Sequence, residues 1–196
     1  MGRVVVFMSL TLDGVMQSPG RPDEDTRGGF EHGGWGVRYA DSVSGSMVGR
    51  YAGTTEGLLL GRRTYEDFFQ VWPNRTDNPF TEALNKAQKY VASRTLSEPL
   101  PWVNSTLLKG DALRSVAELK HRLDKDLMVL GSGELVRSLM SAALVDEYIL
   151  LIHPLVLGSG QRLFDAGISA SLGLQEVNPT TTGVLIATYR PEVSGG

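Results

Sequence analysis

The sequence predicts an α/β fold: a mixed, mostly parallel sheet with helices on both faces and an antiparallel C-terminal edge. Three observations lead there. The uninterrupted apolar runs Val4–Met8, Leu58–Leu60 and Leu127–Leu130 lack the alternation of a half-exposed strand and suit strands buried on both faces. Segments of helical period stand between them. The last two strand patterns, Leu172–Val177 and Val184–Tyr189, are joined only by a turn around Asn178–Gly183, so they should pair antiparallel.

In order along the chain, Val4–Met8 is a β-branched central strand. It leads through Leu12-Asp13-Gly14 into Gln17–Gly36, a stretch rich in Gly, Pro and charge whose length suggests a functional loop. Val37–Ala52 is weakly helical, with Val43, Met47 and Val48 facing inward. Leu58–Leu60 forms the next strand and stops at Gly61. Two short helices, Thr64–Val71 and Phe80–Ala87, precede a strand over Lys89–Ala92, and Trp102-Val103 and Thr106–Leu108 are short strand candidates. Asp111 has an oxygen placed to cap a helix whose face reads Leu113, Val116, Leu119, Leu123. After strand Leu127–Leu130 comes a helix with Leu135, Val136, Leu139 and Met140 on one side, then a strand over Val145–Ile152 and a loop opened by His153-Pro154.

All 196 residues fit one domain, 1–196, long enough to bury its own core. Apolar residues make up 41% and charged residues 21%, an ordinary globular balance, and the net charge of −3 argues against a nucleic-acid partner. There is no cysteine, which excludes disulfides, thiolate metal sites and a cysteine nucleophile. His32, His121 and His153 are scattered, so no metal is expected, and His121 lies on the charged side of its helix. The apolar run at the N-terminus is too short for a signal-peptide core and no run reaches membrane-spanning length, so a cytoplasmic protein without membrane contact is expected.

Three segments share one design, an apolar strand ending in a small or polar turn: Leu58–Thr64 with Gly61-Arg62-Arg63-Thr64, Tyr90–Thr95 with Ser93-Arg94-Thr95, and Leu130–Glu134 with Gly131-Ser132-Gly133. Ligands of parallel sheets gather at the carboxyl ends of strands, where helix N-termini offer free amides to phosphate. Two of the turns add arginine beside a hydroxyl, a combination suited to a phosphate monoester. Trp35 and Trp72 lie near loops, where each either stacks on a flat substrate or anchors its loop.

These motifs carry a resemblance. Gly61-Arg62-Arg63-Thr64-Tyr65-Glu66, Ser93-Arg94-Thr95, Gly131-Ser132-Gly133-Glu134-Leu135 and the Asp-Gly turn after Ser9–Leu12 resemble the strand-end signatures of dihydrofolate reductases, with Ser132 where a second glycine is usual. Val145–Tyr148 and Pro154–Phe164 are similar to a narrower group, the C-terminal reductase domain of the bifunctional deaminase-reductase of riboflavin biosynthesis and its stand-alone relatives. The resemblance covers nearly the whole chain. It implies a dihydrofolate-reductase-like three-layer sandwich and an NADPH-dependent oxidoreductase passing a hydride to a C=N or C=O carbon of a small substrate, a ribosylaminopyrimidine or pteridine-like molecule. The alternatives it leaves are a dihydrofolate reductase proper and a non-catalytic module that binds NADPH.

By the same resemblance, Gly61, Arg62, Arg63 and Thr64 hold cofactor phosphates, Ser93 and Arg94 meet the 2′-phosphate, and Gly131, Ser132, Gly133, Glu134 and Leu135 lie along the pyrophosphate. The main chain of Ser9 and Leu10 faces the nicotinamide amide. Asp41 is the first candidate proton donor and Asp13 the second, although an Asp before Gly commonly shapes a turn; Glu31 lies in the loop, and water is a further proton source. The apolar run Leu144–Ile152 with Leu155 and Val156 either packs the subunit interface of a homodimer, as in the family's dimers, or is internal.

Overall fold

The computed structural model describes residues 1–76, 80–165 and 167–192. Eight strands form one sheet in the order β4-β3-β2-β5-β1-β6-β8-β7. Six of them, β1 (Val4–Thr11), β2 (Thr55–Gly61), β3 (Gln88–Ala92), β4 (Ser105–Leu108), β5 (Asp126–Leu130) and β6 (Glu147–His153), run parallel, while β7 (Leu172–Pro179) and β8 (Leu185–Pro191) form the antiparallel edge. The helices are α1 (Ser42–Thr54), α2 (Arg62–Val71), α3 (Phe80–Lys86), α4 (Ala112–Arg122) and α5 (Gly133–Ser141).

The uninterrupted apolar runs are explained by two cores, one on each face of the sheet. From β1, Val4, Val6, Met8 and Leu10 join Val129 and Leu150 beneath Val116 and Leu119 of α4 and Val136 and Leu139 of α5. Val5 and Phe7 point the other way, joining Leu58, Leu60, Met128 and Ile149 beneath Tyr65 of α2 and Leu84 of α3, with Val43 and Met47 of α1 packed against them. The side chain of Val48 lies outside the described residues. Asp111 caps α4 as expected, accepting from the amides of Leu113 at 2.9 Å and Arg114 at 3.4 Å.

Several boundaries move for local reasons. The weakly helical stretch from Val37 splits: Val37–Tyr39 makes one helical turn, and Asp41 then starts α1 by accepting from Ser44 N. Arg62 and Arg63 belong to the first turn of α2, not to a loop before it. Trp102-Val103, expected as a strand, is a turn before β4. Trp102 is buried from that turn into the second core, its amide donating to Tyr65 Oη at 3.0 Å and its indole N–H to Asn85 Oδ1 at 2.7 Å, while Val103 is exposed. Of the apolar run Leu144–Ile152 with Leu155 and Val156, Val145 and Tyr148–Leu151 are buried within the chain, whereas Val156 is exposed.

Lys89 is a buried cation within β3. Its ammonium donates to the carbonyls of Leu84 at 2.8 Å and Ala87 at 2.7 Å, at the C-terminus of α3, and lies 4.5 Å from the Trp102 ring. Burial pulls its pKa down to about 8, while the carbonyls and the ring face favour the charged form.

Candidate active site at the carboxyl edge of the sheet

Sheet order decides what the three turns do together. β3, β2 and β5 are consecutive neighbours, so Ser93-Arg94, Gly61–Thr64 and Gly131–Leu135 sit side by side at one edge, with β1 next in line. The β1–β5 ladder ends at Phe7 opposite Leu130, whereas β1 runs on to Thr11. Ser9 and Leu10 therefore extend beyond β5, beside the turn that follows it, while their other side is paired to Leu151 and Ile152 of β6.

The turns after β2 and β5 are locked to each other. Gly61 N donates to Ser132 Oγ at 2.9 Å, and Ser132 N donates to Thr64 Oγ1 at 3.1 Å. Ser132 adopts a left-handed conformation, φ 58°, uncommon for a residue with a side chain and held here by those two bonds. Ser132→Ala removes the acceptor of the Gly61 amide while the strained backbone stays. We expect a loss of about 1–2 kcal/mol, read as a lower urea midpoint at unchanged slope; an unchanged midpoint would show that water satisfies that amide.

The charged groups fall into paired and unpaired sets. Arg62 pairs with Glu66 at 3.1 Å, and Arg63 reaches Glu134 at 3.0 Å in the first turn of α5. Arg94 is exposed and forms no salt bridge among the described residues. Beside it, Ser93 Oγ accepts from the amides of Thr95 at 3.1 Å and Leu96 at 3.0 Å, which shapes the turn that presents Arg94.

The 12–36 segment is built as a cover over this edge. Val15, Phe30 and Trp35 are buried as a third apolar cluster with Leu155 and Leu157 packed against them. The Gln17 side chain is a hub: its amide N–H groups donate to the carbonyls of Asp25 and Arg27, and its oxygen accepts from Gln161 N. Trp35 donates its indole N–H to Gln17 O at 2.7 Å, so it anchors the loop. Trp72 packs edge-on against Phe68 and Phe80 beside the second core. The segment also touches the site, since a side chain at Gly133 would strike the Met16 thioether.

Both candidate proton donors have other work. Asp41 caps α1 through Ser44 N at 2.9 Å and accepts from the amide and hydroxyl of Thr181 at 2.9 and 3.0 Å, tying α1 to the β7–β8 turn. The Ser44 amide, with the Thr181 bonds, holds its carboxyl below the usual range. Asp13 accepts from Thr11 Oγ1 at 2.6 Å, Leu157 N at 3.2 Å and Gly158 N at 2.8 Å. Burial pushes its pKa up, but these donors outweigh burial and bring it to about 2. In each case the bonds favour the ionised carboxylate. Glu31 is exposed in its own loop.

Asp13 is instead a latch between the loops after β1 and β6. Its contribution is present above the ordinary carboxylate value of 3.8 and is lost as pH falls towards about 2. Asp13→Asn cannot accept from both Leu157 and Gly158, and we expect it to cost about 1–3 kcal/mol near neutral pH. Acid unfolding followed by circular dichroism checks this: the gap between wild type and variant should close between those two pH values, and a constant gap would remove Asp13 ionisation from the latch.

Sequence reasoning passed over His153 as a loop residue. It ends β6, is buried, and places Nδ1 2.9 Å from Leu151 O and 3.2 Å from Leu10 O. Because carbonyls only accept, Nδ1 carries the proton. Trp35 and Tyr39 meet the ring edge-on at 5.0 and 5.4 Å, and burial lowers its pKa. His153 thus supports the Leu10 end of β1 from behind; the apolar residue types around it in the sequence gave no sign of that partner.

The fold, with its three strand-end turns side by side, is an α/β domain of the dihydrofolate-reductase type. A family model, the RibD C-terminal domain, matches residues 3–186, and the chain belongs to that family. The uncharacterized protein YyaP of Bacillus subtilis (strain 168) is 28% identical over 195 residues, 95% of this chain and 94% of YyaP. Among solved structures, a pyrimidine reductase-like protein from Corynebacterium diphtheriae superposes with TM-score 0.68 at 14% identity, covering 98% of this chain and 93% of that one. Dihydrofolate reductase from Enterococcus faecalis, complexed with NADP(H), superposes with TM-score 0.62 at 12% identity, covering 98% of each chain. At such identities these superpositions establish the fold. Among the described residues no helix is long and apolar enough to cross a membrane, and no three His, Cys, Asp or Glu side chains gather as a metal site.

Proposed function

We propose that this chain is an NADPH-dependent reductase acting on a C=N or C=O carbon of a small substrate of the ribosylaminopyrimidine or pteridine-like class. The observation that carries the reading is the alignment of three turns on consecutive strands, with Arg94, which has no salt bridge among the described residues, at one end and the projecting Ser9-Leu10 main chain at the other. That layout fits a dinucleotide with a phosphate monoester at one end and a carboxamide at the other.

In this reading Arg94 binds the 2′-phosphate as a charge-assisted fork, with Ser93 shaping its turn. Gly61–Thr64 and Gly131–Leu135 offer the first-turn amides of α2 and α5 to the phosphates, and the Thr64–Ser132 bond keeps the two turns in fixed relation. Ser9 and Leu10 orient the nicotinamide through backbone groups, with His153 bracing Leu10. The 12–36 segment keeps water from the edge, and Asp13 latches it. When bound, NADPH supplies the hydride. With both candidate carboxylates engaged by amides of the fold, water supplies the proton, and catalysis is chiefly positioning.

The test is a titration of the purified protein with NADPH and NADH, followed by tryptophan quenching. Saturable binding with NADPH strongly preferred is expected; it would justify assaying pterins, dihydrofolate and ribosylaminopyrimidines by loss of NADPH absorbance. No binding of either nucleotide would refute the reading.

A further inference from the structure

Glu134 stands where an anion is expected, and it is itself an anion. One oxygen, Oε1, receives Arg63 Nη1 at 3.0 Å and Arg27 Nη1 at 3.3 Å, from α2 on one side and the 12–36 segment on the other. It lies in the first turn of α5, where the helix dipole favours negative charge. Arg27 is aimed rather than loose: Asp25 grips its Nε at 2.8 Å and its Nη2, and Gln161 Oε1 accepts from Nη2 at 3.2 Å, leaving Nη1 directed at Glu134. The Glu134 side chain is 62% exposed and that of Arg63 53%, so both contacts are screened and easily exchanged.

Two guanidinium groups converging on a single carboxylate oxygen over the Gly131–Gly133 turn form an anion site filled by the protein's own side chain. We propose that Arg27 is a pyrophosphate-binding residue delivered by the 12–36 segment, and that Glu134 is the stand-in anion it and Arg63 release when a dinucleotide binds. A pyrophosphate carries more charge and more acceptor oxygens than one carboxylate, so it can engage both arginines with paired bonds. Since Arg27 is fastened through Asp25 and Gln17 to the rest of the segment, the exchange couples cofactor binding to closure of the cover. The proposal rests on the dinucleotide reading above but names a residue outside the three strand-end turns.

The test compares NADPH with 2′-AMP, a probe that has the 2′-phosphate and adenosine but no pyrophosphate, using wild type, Arg27→Ala, Glu134→Gln and the double variant at fixed ionic strength. Arg27→Ala should weaken NADPH about tenfold and leave 2′-AMP within about twofold. Glu134→Gln, which keeps the side-chain shape, should tighten NADPH about threefold or more, and the gain should shrink when Arg27 is absent. NADPH should protect the 17–36 stretch from limited proteolysis in wild type and much less in Arg27→Ala.

If Arg27 and Glu134 only tie the segment down, both single variants weaken NADPH alike, and the proposal is overturned. Equal loss of NADPH and 2′-AMP in Arg27→Ala overturns it too. Should Arg27→Ala fail to fold, Glu134→Gln decides alone, and weaker NADPH binding there counts against it. Wild type binding 2′-AMP and NADPH with NADPH unaffected by any variant sinks this proposal and leaves the reductase reading standing; wild type binding neither sinks both.

Discussion

Arg94→Ala is expected to raise the dissociation constant for NADPH about thirtyfold while changing that for NADH by less than about threefold. Arg94 is exposed at the end of β3 and forms no salt bridge among the described residues, whereas Arg62 and Arg63 are both paired to glutamates. Removing it therefore disrupts no ion pair of the fold, and the thermal midpoint should stay within about 1 °C or 2 °C of wild type, as for an exposed substitution. A hydrogen bond to a fully charged group contributes about 1.5–3 kcal/mol, which converts to roughly ten- to hundredfold in affinity. NADH lacks the 2′-phosphate and should hardly register the change. Titration by tryptophan quenching at fixed salt measures both constants. Equal losses for the two nucleotides would place Arg94 away from the 2′-phosphate.

Gly160→Ala should destabilise the protein by about 3 kcal/mol, lowering the thermal midpoint by about 6–12 °C. Gly160 has φ 111°, outside what a residue with a side chain adopts without strain. An added Cβ would also stand 2.7 Å from Phe30 Cε2 and 2.8 Å from Val15 Cγ1. Those two belong to the small cluster with Trp35 that holds the cover, so neither can move without opening it. Differential scanning calorimetry reads the global loss and limited proteolysis within 17–36 reads the local one. If both are unchanged, the cluster does not depend on the close approach at Gly160. The same variant should weaken NADPH binding if the cover contributes to the site.

Arg94 stands out in the sequence as one of two arginine-bearing strand ends, and the role proposed for it rests on residue type, position and the family resemblance. Gly160 is an unremarked glycine of a Gly-Ser-Gly loop until the chain brings Phe30 against it from 130 positions earlier.

What the sequence determines by itself is local. Uninterrupted apolar runs mark buried parallel strands because both faces of each must meet a helix layer, and β1, β2 and β5 lie where those runs are. A capping Asp111 before a period of 3.6 marks α4 because the first-turn amides need an acceptor. The strand-end turns announce themselves by glycine, arginine and hydroxyl, and their similarity to one family spans nearly the whole chain.

Only the tertiary structure decides which groups are spoken for. Asp13 and Asp41 look like candidate acids in the sequence, and become a latch and a cap because the amides of Leu157, Gly158 and Thr181 arrive from distant segments. His153 looks like the start of a loop, yet its partners Leu10, Trp35 and Tyr39 bury it at a strand end. Arg27 and Arg63 are 36 positions apart and meet on one oxygen of Glu134 only after β2 and β5 are neighbours. Hydrogen bonds and ion pairs act over a few ångströms, so a residue's chemistry depends on what the fold brings within that distance, and local sequence pattern carries no record of it.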